Sequence, residues 1–213
     1  MQETIRIYTF TLFERDEMKW MKWMVLVLFA ALMIGGCSPG KRYERRLNKE
    51  LASGVRYDSL FMGISFGMTS KEFYQHCWGL NKDSLVKQGL ANMSVQYDIN
   101  EELAYPATMN FYPIFGDDKI VEMPVRFIYN GWAPWNKELS ASNLALDVKR
   151  WYEKIYGRGF ITVSHPMNGE AYTKIDGNRR ITIYVENDLY VWARFTDMQY
   201  KIEIDSPTTA NQN

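Results

Sequence analysis

The sequence predicts an α+β protein made of two helix-then-antiparallel-strands units packed side by side, with the helices on one face of a sheet. Three observations lead there. A complete helix-start signal stands at Thr69 to Phe73, a second run of apolar residues at helical spacing extends from Leu144 to Ile155, and each is followed by short segments of alternating polarity between turn residues. The repetition is one of topology, since Gly67-Met68-Thr69 has no second copy ahead of the second helix.

The chain opens with a leader. Lys19 and Lys22 are followed by an apolar run from Met24 to Met33 and by Ile34, Gly35 and Gly36 directly before Cys37. A positive region, a short apolar core and small residues make a secretory signal peptide. The run is much shorter than the roughly 20 apolar residues a spanning helix needs. Met1 to Glu17 carry Glu3, Arg6, Glu14, Arg15, Asp16 and Glu17. Such a mixed-charge lead does not suit a signal, so Met18 is the expected start and positions 1–17 an upstream gene-start artefact. Ile34-Gly35-Gly36-Cys37 resembles the lipobox of bacterial lipoproteins. That resemblance implies cleavage after Gly36, lipid on the Cys37 sulfur and a further acyl chain, such as palmitate, on its new amine. The expected organisation is a signal peptide over 1–36, a lipidated tether over 37–56, an α+β domain over 57–205 and a polar tail over 206–213.

Composition narrows the function classes. With 25 basic and 25 acidic residues the chain is formally neutral, and the two signs are interspersed. Nucleic acid, which demands a clustered basic face, is therefore not an expected partner. Positions 37–213 suffice for one domain burying about 70% of its unfolded surface without a disulfide or metal. Once Cys37 carries lipid, Cys77 is the one thiol left, so it reads as a small buried hydrophobe.

In the tether, Lys41, Arg42, Arg45 and Arg46 form a basic cluster suited to anionic head groups, and Tyr43 to Leu51 could alternatively support a helical lead-in. In the domain, Thr69 is the expected N-cap, Glu72 closes a capping box, and Met68 staples onto Phe73. Phe73, Cys77 and Leu80 then share the core face, with an end near Gly79 or as late as Gln88. Strands are expected at Met93–Ile99, Thr108–Phe115 and Lys119–Tyr129, with Gly116-Asp117-Asp118 as a hairpin turn. Pro106, Pro113 and Pro124 require an edge or a bulge among them. Asn130 to Asn136 form a loop, and a second helix runs from Ser140 or Ser142 to a stop at Gly157. A meander follows at Phe160–Ser164, Ala171–Ile175, Arg179–Val185, Leu189–Thr196 and Tyr200–Ile204.

Opening on Phe66-Gly67-Met68-Thr69, this order resembles the tandem α-β domains of β-lactamase-inhibitor-like proteins and small outer-membrane-assembly lipoproteins over Tyr57 to Asp205. Gly131-Trp132-Ala133-Pro134-Trp135 and Asp176-Gly177-Asn178-Arg179-Arg180 resemble phrases of uncharacterised lipoproteins from Bacteroides-type bacteria. That family brings no catalytic residues to carry over. Ser38, Pro39 and Gly40 lack the acidic residues associated there with export to the cell surface, which implies an outer-membrane anchor facing the periplasm.

Catalytic signals are sparse. His76 and His165 belong to no zinc-ligating spacing, and no metal or cofactor is expected. His76 and Cys77 point about 100° apart on a helix and cannot share a proton. Carboxylate pairs for glycoside hydrolysis could be drawn from Asp98, Glu101, Glu102, Glu122 or Glu170, as in any exported domain. No P-loop, Gly-x-Ser-x-Gly or dinucleotide fingerprint is present.

The sharper feature is one sheet face. Ile181, Ile183 and Val185 alternate with Arg180, Thr182 and Tyr184, and Leu189, Val191, Ala193 and Phe195 alternate with Tyr190, Trp192 and Arg194. Tyr, Trp and Arg dominate interface hot spots. The sequence therefore predicts a non-enzymatic protein-interaction module of the cell envelope, held to the membrane by lipid on Cys37. Its expected partner-binding residues are Arg180, Tyr184, Tyr190, Trp192 and Arg194, joined by Trp132 and Trp135. A glycan stacked on Trp132, Trp135 or Trp192 is the alternative ligand, and an envelope hydrolase the third reading.

Overall fold

The computed structural model describes Met24 and residues 39–89, 94–165, 167 and 169–205. Apart from Met24, the leader lies outside the described residues, as do Cys37 and the polar tail from 206 onward. Among the described residues the fold is α+β, with four helices and a nine-stranded antiparallel sheet. By contact the chain divides into residues 1–42 and 43–213, and the second unit holds the sheet. No helix among the described residues is long and apolar enough to cross a membrane.

Helix α1 (Pro39–Ala52) occupies the stretch read as a tether or a helical lead-in. Its Tyr43, Leu47, Glu50 and Leu51 are half-buried along one side, whereas its basic residues are exposed. Helix α2 (Ser70–Lys82) begins where the capping box predicts: the Thr69 hydroxyl accepts from the Glu72 N–H at 3.3 Å, and Glu72 accepts from the Thr69 N–H at 2.8 Å. Phe73 and Cys77 enter the core, and the helix continues through Gly79 to Lys82.

The strands are β1 (Lys87–Gln88), β2 (Val95–Ile99), β3 (Ala107–Phe111), β4 (Ile114–Gly116) and β5 (Lys119–Tyr129), then β6 (Ile161–His165), β7 (Gly169–Asp176), β8 (Arg179–Val185) and β9 (Val191–Asp197). Their order is β1-β2-β3-β5-β9-β8-β7-β6, with β4 also paired to β5. The single strand expected over Thr108–Phe115 is thus two. Pro113 separates them, and the register of β4 on β5 shifts between Ile114 and Phe115, the irregularity that proline demands. Pro124 sits in β5 opposite the gap between Phe111 and Ile114, where the ladder is already broken on that side. Asp117 and Asp118 take φ of 49° and 59°, the left-handed pair that closes a two-residue hairpin with the twist of its strands.

Helix α3 (Ala141–Tyr156) has Ser140 as N-cap and Gly157, at φ 84°, as its stop. Leu144, Val148 and Tyr152 are buried, and Tyr152 meets Phe127 of β5 and Phe195 of β9. This helix therefore rests where β5 and β9 join the two strand groups. Between them lie Met123, Val125, Phe127, Ile181, Ile183, Val191, Ala193 and Phe195, all fully buried. Asp147 is the polar exception in this layer. It accepts from the Tyr129 hydroxyl, from the Ala104 N–H at 3.2 Å and from Arg150, so α3 is tied to the end of β5 and to the loop before β3.

One predicted strand is a helix instead. Residues expected as Tyr200–Ile204 form α4 (Met198–Asp205). The Asp197 carboxylate accepts from the N–H groups of Gln199 and Tyr200 at 3.0 and 3.4 Å and so starts a helical turn. Because β9 already has β5 on one side and β8 on the other, the chain leaving it cannot turn back to pair with β9 as a further strand of the meander.

Candidate functional site

The strand registers define the face turned away from α3. Across it, one row runs Asn110, Arg126, Trp192, Tyr184, Ala171 and Val163, and the next runs Pro124, Arg194, Thr182, Thr173 and Ile161. A third row places Glu122, Thr196, Arg180 and Ile175 together. Arg180, Tyr184, Trp192 and Arg194 therefore share one face, as the period-two alternation predicts. Tyr190, directly before β9, joins them: the Arg126 guanidinium lies 4.6 Å from the Tyr190 ring centre and 5.9 Å from that of Trp192.

The three arginines of the predicted face and its centre differ in their partners. Arg194 is paired with Glu122 at 2.7 Å. Arg180 donates to the Tyr43 hydroxyl of α1 at 3.0 Å and to Thr196 at 3.4 Å. Tyr43 thus reaches the face expected to be open, and Arg180 is covered there instead of free. The β7 residues on this side, Ala171, Thr173 and Ile175, are 0, 1 and 2% exposed although they face away from α3. Glu50 of α1 accepts from the Gly177 N–H at 3.0 Å at the end of the same strand. The open part of the face is accordingly its other half, on β3, β5, β9 and the middle of β8.

Gly177 is also pinned by the chain crossing it. Its φ is +52°, and a Cβ there would stand 2.1 Å from the Val55 carbonyl oxygen. The adjacent Asn178 accepts from the Tyr57 N–H at 2.7 Å and donates to Asp58 at 3.0 Å, so residues 55–59 strap the β7–β8 turn.

Trp132 and Trp135 lie elsewhere, in the loop after β5. Trp135 is 84% exposed, and among the described residues no ring contact brings either indole to Tyr190 or Trp192. Arg126 and Asn110 were not among the residues predicted for this face. The signal for Arg126 is present in the sequence, since alternation along Lys119–Tyr129 groups Glu122, Pro124, Arg126 and Ile128 on one side.

Several of the residues weighed for catalysis are engaged structurally. Burial pushes the Cys77 thiol up to about 11, which keeps it protonated and a weak nucleophile. His76 Nε2 is 2.7 Å from the Met62 carbonyl oxygen. Asp98 accepts from Lys87 at 2.6 Å and from Gln96 at 2.8 Å, and these bonds hold it below the ordinary carboxylate range. Glu122 serves Arg194, and Glu102 accepts from the Tyr97 hydroxyl. No group of three or more metal-ligating side chains occurs among the described residues.

Comparison of the chain with protein-family models, with curated proteins and with solved structures gave no significant match.

Proposed function

We propose that this protein is a lipid-anchored, non-enzymatic interaction module of the bacterial cell envelope, which uses the open half of its outer sheet face to hold another envelope protein. The leader over 1–36 would direct export, and lipid on Cys37 would hold the domain at the outer membrane on its periplasmic side. In this reading the helices that fill the core stand behind the sheet and leave Tyr184, Tyr190, Trp192 and Arg194 for the partner. Kinship to the Bacteroides-type lipoproteins and to the tandem α-β assembly lipoproteins belongs to the same proposal.

One observation carries the reading: an aromatic and guanidinium cluster of Tyr190, Trp192 and Arg126 stands on a rigid strand framework, next to Tyr184, on the side that does not feed the core. Such side chains combine large contact area with hydrogen-bonding capacity and few rotors, the composition of binding hot spots.

The test separates stability from binding. Trp192→Ala should leave the denaturation midpoint nearly unchanged while weakening capture of the crosslinked envelope partner by about 2 kcal/mol or more. Unchanged capture would reduce the face to a solvated sheet surface. The anchor is tested separately, since Cys37→Ser should yield an unlipidated precursor of altered mass that no longer fractionates with the lipidated form. A Ser variant retaining wild-type mass and fractionation would refute it.

A further inference from the structure

We infer that Arg126 is the specificity-determining residue of the outer face and that the segment held there is an acidic peptide, recognised through a carboxylate on the Arg126 guanidinium. The inference rests on the proposed interaction role and names the chemistry of its partner. Arg126 is half-buried in β5 and is stacked near Tyr190 and Trp192 at 4.6 and 5.9 Å. A planar guanidinium beside aromatic rings keeps N–H donors in a fork that a carboxylate can engage two at once.

Arg126 makes no ion pair or hydrogen bond among the described residues, in contrast to its neighbours on the same face. Arg194 has Glu122, Arg180 has Tyr43 and Thr196, and Lys87 farther along has Asp98. Opposite Arg126 on β3 stands Asn110, a neutral amide that can donate to a second carboxylate oxygen or to the peptide backbone. The aromatic rings thus hold a positive charge in place with no anion paired to it among the described residues, which is a preorganised arrangement for an external one.

The same stacking argues for a peptide over a sugar. Glycan rings need a bare aromatic face, whereas here the guanidinium already lies by both Tyr190 and Trp192. An acidic peptide instead gains from the charge and can lay apolar atoms beside Trp192 and Tyr184.

The experiment measures fluorescence anisotropy of a labelled oligoglutamate peptide with the full chain, in parallel with oligolysine and an oligogalacturonate of matched charge. Saturable oligoglutamate binding is expected, lowered about tenfold or more by Arg126→Gln and only partly restored by Arg126→Lys, which keeps charge but not the planar fork. Arg158→Gln, remote in sequence and exposed, should bind as wild type. Denaturation midpoints of all variants should match. No saturable binding, equal loss from Arg158→Gln, or preference for oligogalacturonate would overturn the inference. Partner capture distinguishes the two proposals: if Trp192→Ala loses the partner and Arg126→Gln keeps it, the acidic-peptide assignment fails and the interaction module stands.

Discussion

The two faces of β5, β8 and β9 are built from the same strands and behave oppositely. On one side Met123, Val125, Phe127, Ile181, Ile183, Val191, Ala193 and Phe195 are sealed under α3. On the other, Arg126, Trp192, Arg194, Thr182 and Tyr184 are half-buried, Arg126 lies over the Trp192 ring and Arg194 pairs with Glu122. Large apolar area withdrawn from water supports the fold, and surface groups with polar ends leave it little changed. The difference teaches that one residue of strand spacing separates the side chains that hold the fold from those left at the surface, where the proposed recognition would take place.

The comparison breaks most visibly at Phe195. Phe195→Ala removes a ring packed on Phe61, Tyr152 and Tyr156 and should cost about 3 to 5 kcal/mol in denaturant melts. A loss no larger than that of Trp192→Ala would mean the faces are assigned in reverse.

A smaller loss is expected at Asp147, the carboxylate 5% exposed inside the apolar layer. Asp147→Ala strands the buried Tyr129 hydroxyl and should cost about 2 kcal/mol. Adding Tyr129→Phe should recover part of it, because an absent hydroxyl needs no acceptor. Strict additivity of the two changes in a double-mutant cycle would show that they do not share this bond.

Thr69→Ala should cost about 1 kcal/mol through the lost cap of α2, and Glu72→Gln should change the acid limb of stability. The bonds from the Thr69 backbone and hydroxyl hold Glu72 below the ordinary glutamate range. Its contribution is therefore fully present above about pH 4.3 and is lost as the pH falls through the depressed folded value. Wild type should lose more stability than Glu72→Gln over that acidic interval. Parallel pH profiles would detach Glu72 from the cap.

Much of the fold was legible in the sequence where the signals are local. Capping atoms lie within three residues of each other, so Thr69, Ser140 and Gly157 mark their helix ends without reference to the rest of the chain. Alternation likewise delivered the spans of β5 and β8 and the shared face of Arg180, Tyr184, Trp192 and Arg194. Tertiary structure decided what depends on neighbours distant in sequence. The chain after Asp197 is a helix because β5 and β8 already occupy both sides of β9, and Arg180 is withdrawn from the open face because Tyr43, distant in sequence, reaches its guanidinium. Arg126 was equally visible as a residue type, yet its place beside two aromatic rings, with no anion paired to it among the described residues, arises only when β5 pairs with β9. Local hydrogen bonds and side-chain period belong to short stretches of sequence, whereas partnering and cover belong to the packed chain.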